Sequence, residues 1–366
     1  MSAGPQPGPL AGIKVVEFGQ NLAGPYCGQI LAFLGAEVIK VERPDGDDAR
    51  KWGPPFIEGD ATGFIALNRG KKSITCDLGD AKQREALIER IGTADIFVHN
   101  LRADVPGKFG FDGPTLTKRF PRLIYADLGA FGHVGPWKER PGYEPIIQAV
   151  AGLISLNGDP SGPEARIGVS IIDLSTGMWT AIGVLAALAK RTATGRGSLV
   201  NTSLFESGLM WTSNHVAGWS VTGKMPPRQG TGHPSLTPYQ AFECSDGPLM
   251  VCPGNDRLWR KFAEALGHPE WRAERREMLL GMIAGIMKTQ SRAYWSARLD
   301  TLGVPNGPLN SVPQVMELAQ VAALAMFSQP YAGSNALFHG LPLSIDGERA
   351  GAAEKAPKIG EHDGQI

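Results

Sequence analysis

The chain has 366 residues, 42% hydrophobic and 20% charged, enough for a sizeable core in one large or two ordinary domains. Lysine plus arginine and aspartate plus glutamate balance at 36 each, which excludes a global field favouring nucleic acid or an anionic membrane. No apolar run is read as long enough to span a bilayer, and the four cysteines, Cys27, Cys76, Cys244 and Cys252, lack CxxC spacing, which implies free thiols in a reducing, cytoplasmic setting and no zinc site.

The opening residues, MSAGPQPGPL, read as a loose arm without the basic and apolar zones of a signal peptide. Ile13 to Glu17 reads as a first buried strand, Tyr26 to Leu34 as a helix stopped at Gly35, and Ala36 to Val41 as a second strand. This βαβ unit predicts a parallel sheet. Gly19, Gly24 and Gly28 do not make a GxGxxG dinucleotide fingerprint, and Glu42-Arg43 reads as a solvated strand-end pair. After a loop rich in Pro and Asp (44 to 60), strands are predicted at Ser73 to Cys76, Ile96 to His99 and Leu123 to Ala126, with an amphipathic helix at Ala81 to Ile91 and a short turn at Pro106 to Phe111. The alternation predicts a doubly wound α/β layer, whose ligands gather at the carboxyl ends of the strands. Basic residues near those ends, Arg43, Arg69, Lys71, Lys72 and Arg102, could hold phosphates if they converge; each alone suits a solvated turn.

Residues 129 to 142 form a Gly/Pro-rich loop, and Glu144 to Leu153 reads as a helix. The stretch ARIGVSIIDLSTGMWTAIGVLAALAKR, Ala165 to Arg191, reads as a buried strand (Val169 to Ile172) followed by a helix apolar on most faces, hence internal. Asp173 sits at their joint. A lone acid there is neutral, paired, capping or at work, and local propensity favours a helix cap over a nucleophile. A strand at Leu199 to Thr202 and one long helix, Leu204 to Ser220, follow. A linker, Thr222 to Pro238, precedes hairpin strands Tyr239 to Glu243 and Leu249 to Cys252. Helices are predicted at Arg257 to Leu266, Arg272 to Lys288, Ala293 to Leu302 and Val312 to Leu324, and strand-like pieces between Ala336 and Ile345. The composition divides the chain into residues 1–226, a smaller α+β domain at 227–325, and a return at 326–366.

No GxSxG elbow, HExxH or paired metal-ligand spacing is present, so no metal is expected, and His133, His215 and His233 stand isolated. The acids near loops, Asp173, Glu144, Glu42 and Asp256, remain. A carboxylate is a poor base but can attack an activated acyl group, given a thioester donor and shelter from water.

The ordered motifs VVEFGQNLAGPYCGQILAFLGAEVIKVERP, LNRGKKSITCDL, VHNLRADVPGKFGF, RLIYADLGAFG, PGYEPIIQAVAGL, DLSTGMWTAIGVLAAL with TGRG, GHPSLTPYQAF, GNDRLWRKF and GVPNGPLNSV resemble the class III CoA-transferases over about Leu10 to His362. This is the CaiB/BaiF-like group that also includes α-methylacyl-CoA racemases. The resemblance implies an α/β fold with a Rossmann-like large domain built from both chain ends, a smaller α+β domain and an interlocked homodimer. It implies a nucleophilic role for Asp173, with an acyl-CoA and a small carboxylic acid as substrates and no tightly bound cofactor. Positions matching the family's CoA contacts are Ala23, Arg43, Leu67, Asn68, Lys71, Asn100, Arg102 and Lys108; Tyr143, Glu144, Gly232 and His233 fall at the substrate pocket. The racemase branch uses a histidine beside an aspartate where this chain reads Tyr143-Glu144, and tyrosine, with an ordinary pKa of about 10, is a poor base near neutrality. Transferase is therefore expected ahead of racemase, and ahead of a catalytically idle CoA-binding protein, because Asp173 is intact. The chain departs from the family pattern at Asn100-Leu101-Arg102-Ala103-Asp104, at Gly230-Thr231-Gly232-His233 in place of a multi-glycine loop, and in a shorter helical part around 270 to 290.

Overall fold

The computed structural model describes residues 8–272, 276–351 and 354–365. Most of the expected N-terminal arm and part of the expected helix from Arg272 to Lys288 lie outside the described residues. The chain forms two compact units. One comprises Met1–Gly152, Ile167–Ser213 and Leu324–Ile366; the other comprises Leu153–Arg166 and Asn214–Ala323. The boundary expected at 226/227 falls inside the second unit, and residues 153–166 group with that unit too.

The first unit is built on six strands: β1 (Lys14–Phe18), β2 (Glu37–Glu42), β3 (Lys72–Thr75), β4 (Ile96–His99), β5 (Ile124–Gly129) and β6 (Leu199–Ser203). Their order is β3-β2-β1-β4-β5-β6, and every neighbouring pair is parallel. This is the doubly wound order, and its direction reverses between β1 and β4, where such sheets open a crevice beyond the strands' carboxyl ends. Near-continuous apolar runs such as Val15-Val16 and Ile96-Phe97-Val98 are what a sheet covered on both faces requires. Helix α1 (Ala23–Phe33) is buried along almost its whole length, with Pro25 in its first turn. Helices α2 (Thr62–Asn68), α3 (Ala81–Thr93), α4 (Asp104–Phe109) and α5 (Glu144–Val150) follow, then α6 (Ile171–Thr194) and α7 (Leu204–Trp211). Val16, Ile39, Leu87, Ile91, Phe97 and Tyr125 form part of the core. The edge strand β3 is covered by the returning chain: the His362 amide donates to the Ser73 carbonyl at 3.0 Å and Thr75 donates to Asp363 at 2.8 Å.

The second unit contains α8 (Ser213–Thr222, from Asn214), the antiparallel strands β7 (Gln240–Cys244), β8 (Gly247–Val251) and β9 (Asn306–Pro308), and helices α9 (Asp256–Ala265), α10 (Arg276–Met287) and α11 (Arg292–Leu302). Its core joins Leu249 and Val251 to Trp259, Phe262, Trp295 and Leu299.

Several sequence expectations need correction. The strand expected at Val169 to Ile172 is absent: Val169 is 60% exposed, and the sixth place in the sheet is taken by β6. Helix α6 is not buried all round, since Met178, Trp179 and Ile182 are exposed. It is also, at 24 residues with a mean hydropathy of 1.6 in its most apolar stretch, long and apolar enough to cross a membrane by length and composition, contrary to the sequence reading. Here it is the helix that packs on α1, β5 and β6. The single helix expected from Leu204 to Ser220 is interrupted at Thr212 to give α7 and α8, and Asp104–Phe109 is helical rather than a turn. The run Val312 to Leu324 divides into Val312–Met316 and Ala319–Leu324. Glu42 is not a solvated partner of Arg43. It is buried, bound by Arg50 at 2.7 and 2.8 Å and by Ser73 at 2.7 Å, and these donors hold its carboxyl below the ordinary value against its burial.

Candidate active site

Asp173 is the third residue of α6, whose first turn is preceded by Ser170. It is therefore inside the helix rather than at the cap. Among the described residues nothing hydrogen-bonds its carboxylate. Burial, and then the like charge of Glu144, push its pKa from 3.8 up to about 7. The positive end of the helix dipole favours the anion at such a place; burial and the neighbouring acid outweigh it here.

The first turns of α6 are fixed from three sides. A Cβ on Gly177 would stand 2.7 Å from the Ala23 carbonyl oxygen and 3.2 Å from the Cys27 nitrogen, so only glycine lets α6 lie this close to α1. Thr176 and Ser175 both donate to the Ile172 carbonyl, at 2.8 and 3.1 Å. Thr176 Oγ1 also lies 2.8 Å from Ser207 Oγ of α7, and the Trp211 indole donates to Ser175 at 3.1 Å. On the third side stands α5. Glu144 is 4% exposed in its first turn and accepts from Gln148 Nε2 at 2.5 Å. Gln148 has no solvent exposure and also bonds both backbone groups of Ile167, accepting at 2.8 Å and donating at 3.2 Å. Tyr143, next to Glu144, is 61% exposed.

The crevice between β1 and β4 is closed by a reciprocal pair: Asn100 Oδ1 accepts from the Gln20 amide at 2.7 Å, and Asn100 Nδ2 donates to the Gln20 carbonyl at 2.8 Å. Ala23 opens α1 just beyond it. Arg43 follows β2 and is partly exposed, with Asp48 at 2.7 Å. Arg102 follows β4 with its side chain 78% exposed, and Lys108 is exposed on α4. All three reach solvent, Arg43 and Arg102 each beside an aspartate, Asp48 and Asp104, at 2.7 and 3.2 Å. Of the other expected basic residues, Lys71 and Arg69 are committed inward, whereas Lys72 is 38% exposed in a surface pair. Lys71 is buried, with Glu17 at 2.6 Å, the Pro25 carbonyl at 2.7 Å and Asn68 Oδ1 at 2.9 Å; burial lowers its pKa to about 8 against the pull of Glu17. Arg69 is buried against Phe33 and Phe338 and donates to the His339 carbonyl, and Lys72 stands 3.5 Å from Glu37. Leu67 and Asn68 are buried at the end of α2.

Residues 20–68 also contain an ionic lattice that sequence reading passed over. Lys40, wholly buried in β2, reaches Asp47 at 3.0 Å and the Gly19 carbonyl at 2.7 Å, while Arg50 joins Glu42 to Asp60. It fixes the loop after β2 that carries Arg43. Breaking one partner of such a buried pair strands the other charge.

Gly232 and His233 lie in the second unit. The Gly232 amide closes a turn on the Gln229 carbonyl at 2.7 Å. The His233 amide bonds the Tyr239 carbonyl at 3.0 Å, its Nδ1 accepts from Ser235 at 3.0 Å, and its ring stands 5.4 Å from that of Tyr239. Asp256 opens α9, in the same unit.

Residues 10–363 match the CoA-transferase family III. The chain belongs to that family. The acetyl-CoA:oxalate CoA-transferase of Acetobacter aceti is 34% identical over 97% of this chain and 94% of its own length. The succinate--glutarate CoA-transferase of Agrobacterium fabrum is 33% identical over 98% and 94%. The crystal structure of a CAIB/BAIF family protein from Brucella suis is 36% identical and superposes with a TM-score of 0.87 over 99% of both chains. The family membership accounts for the parallel sheet, and CoA transfer is the activity that its curated relatives are named for. Gln148, which donates to Glu144, escaped the sequence reading. Its signal was available: it stands four residues after Glu144 on one helix, the spacing at which side chains meet.

Proposed function

We propose that this family III member moves CoA from an acyl-CoA thioester to a small carboxylic acid through covalent intermediates on Asp173. The Asp173 carboxylate attacks the thioester carbonyl; the C–S bond breaks, giving an aspartyl-acyl anhydride and CoA thiolate. The thiolate attacks the aspartyl carbonyl and releases the donor as its carboxylate, leaving an aspartyl-CoA thioester. The acceptor carboxylate attacks that carbonyl and expels thiolate, which then attacks the acceptor's acyl carbon and restores Asp173. No net proton is consumed. The observation that carries this reading is the desolvated carboxylate in the first turn of α6, with a pKa of about 7, where it is partly ionised at neutrality and more basic than an ordinary aspartate. Backbone amides of the first turn of α6, before Leu174, lack intrahelical partners and can steady the developing charge.

Arg43, Arg102 and Lys108 hold the phosphates of CoA, and the Asn100–Gln20 clamp with Ala23 shapes the crevice they border. Lys71 and Asn68 act from inside, by fixing the floor beneath α1. Glu144 and Tyr143 belong to the acyl pocket. CoA is substrate rather than resident cofactor. The chain works as a homodimer in the cytoplasm; the exposed Met178, Trp179, Ile182, Leu209, Met210 and Trp211 supply an apolar face for a second copy.

The test is an exchange screen: succinyl-CoA and other thioesters against a panel of carboxylic acids, with α-proton exchange followed in parallel. CoA exchange with at least one acid, and no α-proton washout, is expected. Washout of the α-proton without CoA exchange supports proton transfer instead and overturns the reading.

A further inference from the structure

We propose that Gln148 is a positioning residue for Asp173, holding Glu144 and the strand of chain entering α6 in one fixed arrangement. The inference rests on the nucleophilic role of Asp173 given above. Gln148 is wholly buried, and its three bonds leave its amide one orientation. Its Oε1 takes the Ile167 amide at 2.8 Å, so its Nε2 faces the Ile167 carbonyl at 3.2 Å and Glu144 Oε1 at 2.5 Å. One side chain thus joins the acid of α5 to the chain four residues before α6, the helix that carries Asp173. Asp173 has no donor of its own among the described residues, and burial and the like charge of Glu144 raise its pKa to about 7. The other ionisable groups on elements packed against this turn are already engaged. Glu206 of α7 accepts from Ser203 at 2.6 Å, Asp127 of β5 lies between His99 and His133, and Tyr26 and Cys27 of α1 are held neutral by burial. Gln148 therefore does two things for the nucleophile: it fixes the distance of the like charge, and it fixes the approach to the helix.

Two variants separate these. Gln148→Met keeps the length and approximate volume of the side chain and removes all three bonds. Gln148→Glu keeps an acceptor for the Ile167 amide and removes the donor to Glu144. Both are expected to lower kcat for CoA exchange by ~10–100-fold with KM for acyl-CoA within about twofold, as loss of geometry at the reacting centre does. A second readout needs no turnover. Melting temperatures of Asp173→Asn relative to its parent, measured from pH 4 to 9, report where Asp173 ionises. In the Gln148→Met background that transition is expected to move, because the distance of Glu144 from Asp173 is no longer fixed. A kcat within twofold of the parent, or a reduced kcat with the Asp173 transition unmoved, overturns the proposal. Failure of both variants to give a cooperative melt also counts against it, assigning Gln148 to folding alone. An inactive parent chain defeats the transferase reading while the melting comparison still judges this one.

Discussion

Asp173→Asn is expected to abolish CoA exchange, by ~10³-fold or more, and at the same time to make the folded chain more stable above neutral pH. The loss follows from the chemistry: an amide cannot form the anhydride. The gain follows from the environment. The folded Asp173 has a pKa of about 7 against an ordinary 3.8, because burial and Glu144 both disfavour its charge. Folding therefore takes up a proton between those values. Stability is unaffected by this group below about pH 4, falls as pH rises towards 7, and stays at its lower level above that. At 1.36 kcal/mol for each pH unit of difference, less an allowance for partial exposure, the cost is ~2–4 kcal/mol at pH 8. Asparagine avoids it. Denaturant midpoints at pH 8 and pH 4 check the claim: a stabilised variant at pH 8 and parity at pH 4 are expected. Equal stability at both would show that Asp173 is an ordinary solvated acid.

The second large effect is on pH dependence. Attack requires the Asp173 anion, so kcat/KM for acyl-CoA is expected to rise about tenfold per pH unit below an apparent pKa near 7 and to level off above it. Glu144→Gln removes the smaller of the two causes of that raised value and leaves burial in place. The acid limb should then move to lower pH. The glutamine carbonyl can still accept from Gln148, so the geometry is retained. A rate–pH profile for the two proteins over pH 5 to 9 decides the matter. An acid limb near pH 4 in the parent, or one that stays put in Glu144→Gln, contradicts the coupled pair. The two predictions are linked: the charge that makes the folded chain less stable is the charge that makes the carboxylate a better nucleophile.

The first half of the fold was legible because its signals are local. Short apolar runs separated by Gly and Pro marked β1 to β5, and the βαβ alternation implied their parallel order. The Ala165 to Arg191 stretch misled for a physical reason. A helix rich in Ile, Leu, Val and Trp was taken as internal, yet its Met178–Trp179–Ile182 face is open in the single chain, and an apolar face looks the same whether the chain or a second copy covers it. The strand assigned to Val169 failed because strand propensity describes fit to a half-buried pleated surface, and no partner strand is available at that place. Asp173 was found as a candidate, but its standing between cap and nucleophile could not be read locally. The burial and Glu144 that separate the two come from helices distant in sequence. For the same reason the basic residues near the strand ends divided in an unforeseen way: Arg102 and Arg43 reach solvent, whereas Lys71 is drawn inside by Glu17, 54 positions earlier.

The central claim, a covalent bond to Asp173, is tested most directly by trapping it. The chain is incubated with an acyl-CoA under turnover and quenched with hydroxylamine, and the peptide containing Asp173 is analysed by mass spectrometry. Hydroxylamine cleaves anhydrides and thioesters and leaves a hydroxamate. The account predicts that hydroxamate on Asp173, dependent on acyl-CoA and absent from Asp173→Asn. Full turnover with an unmodified Asp173 peptide would contradict it.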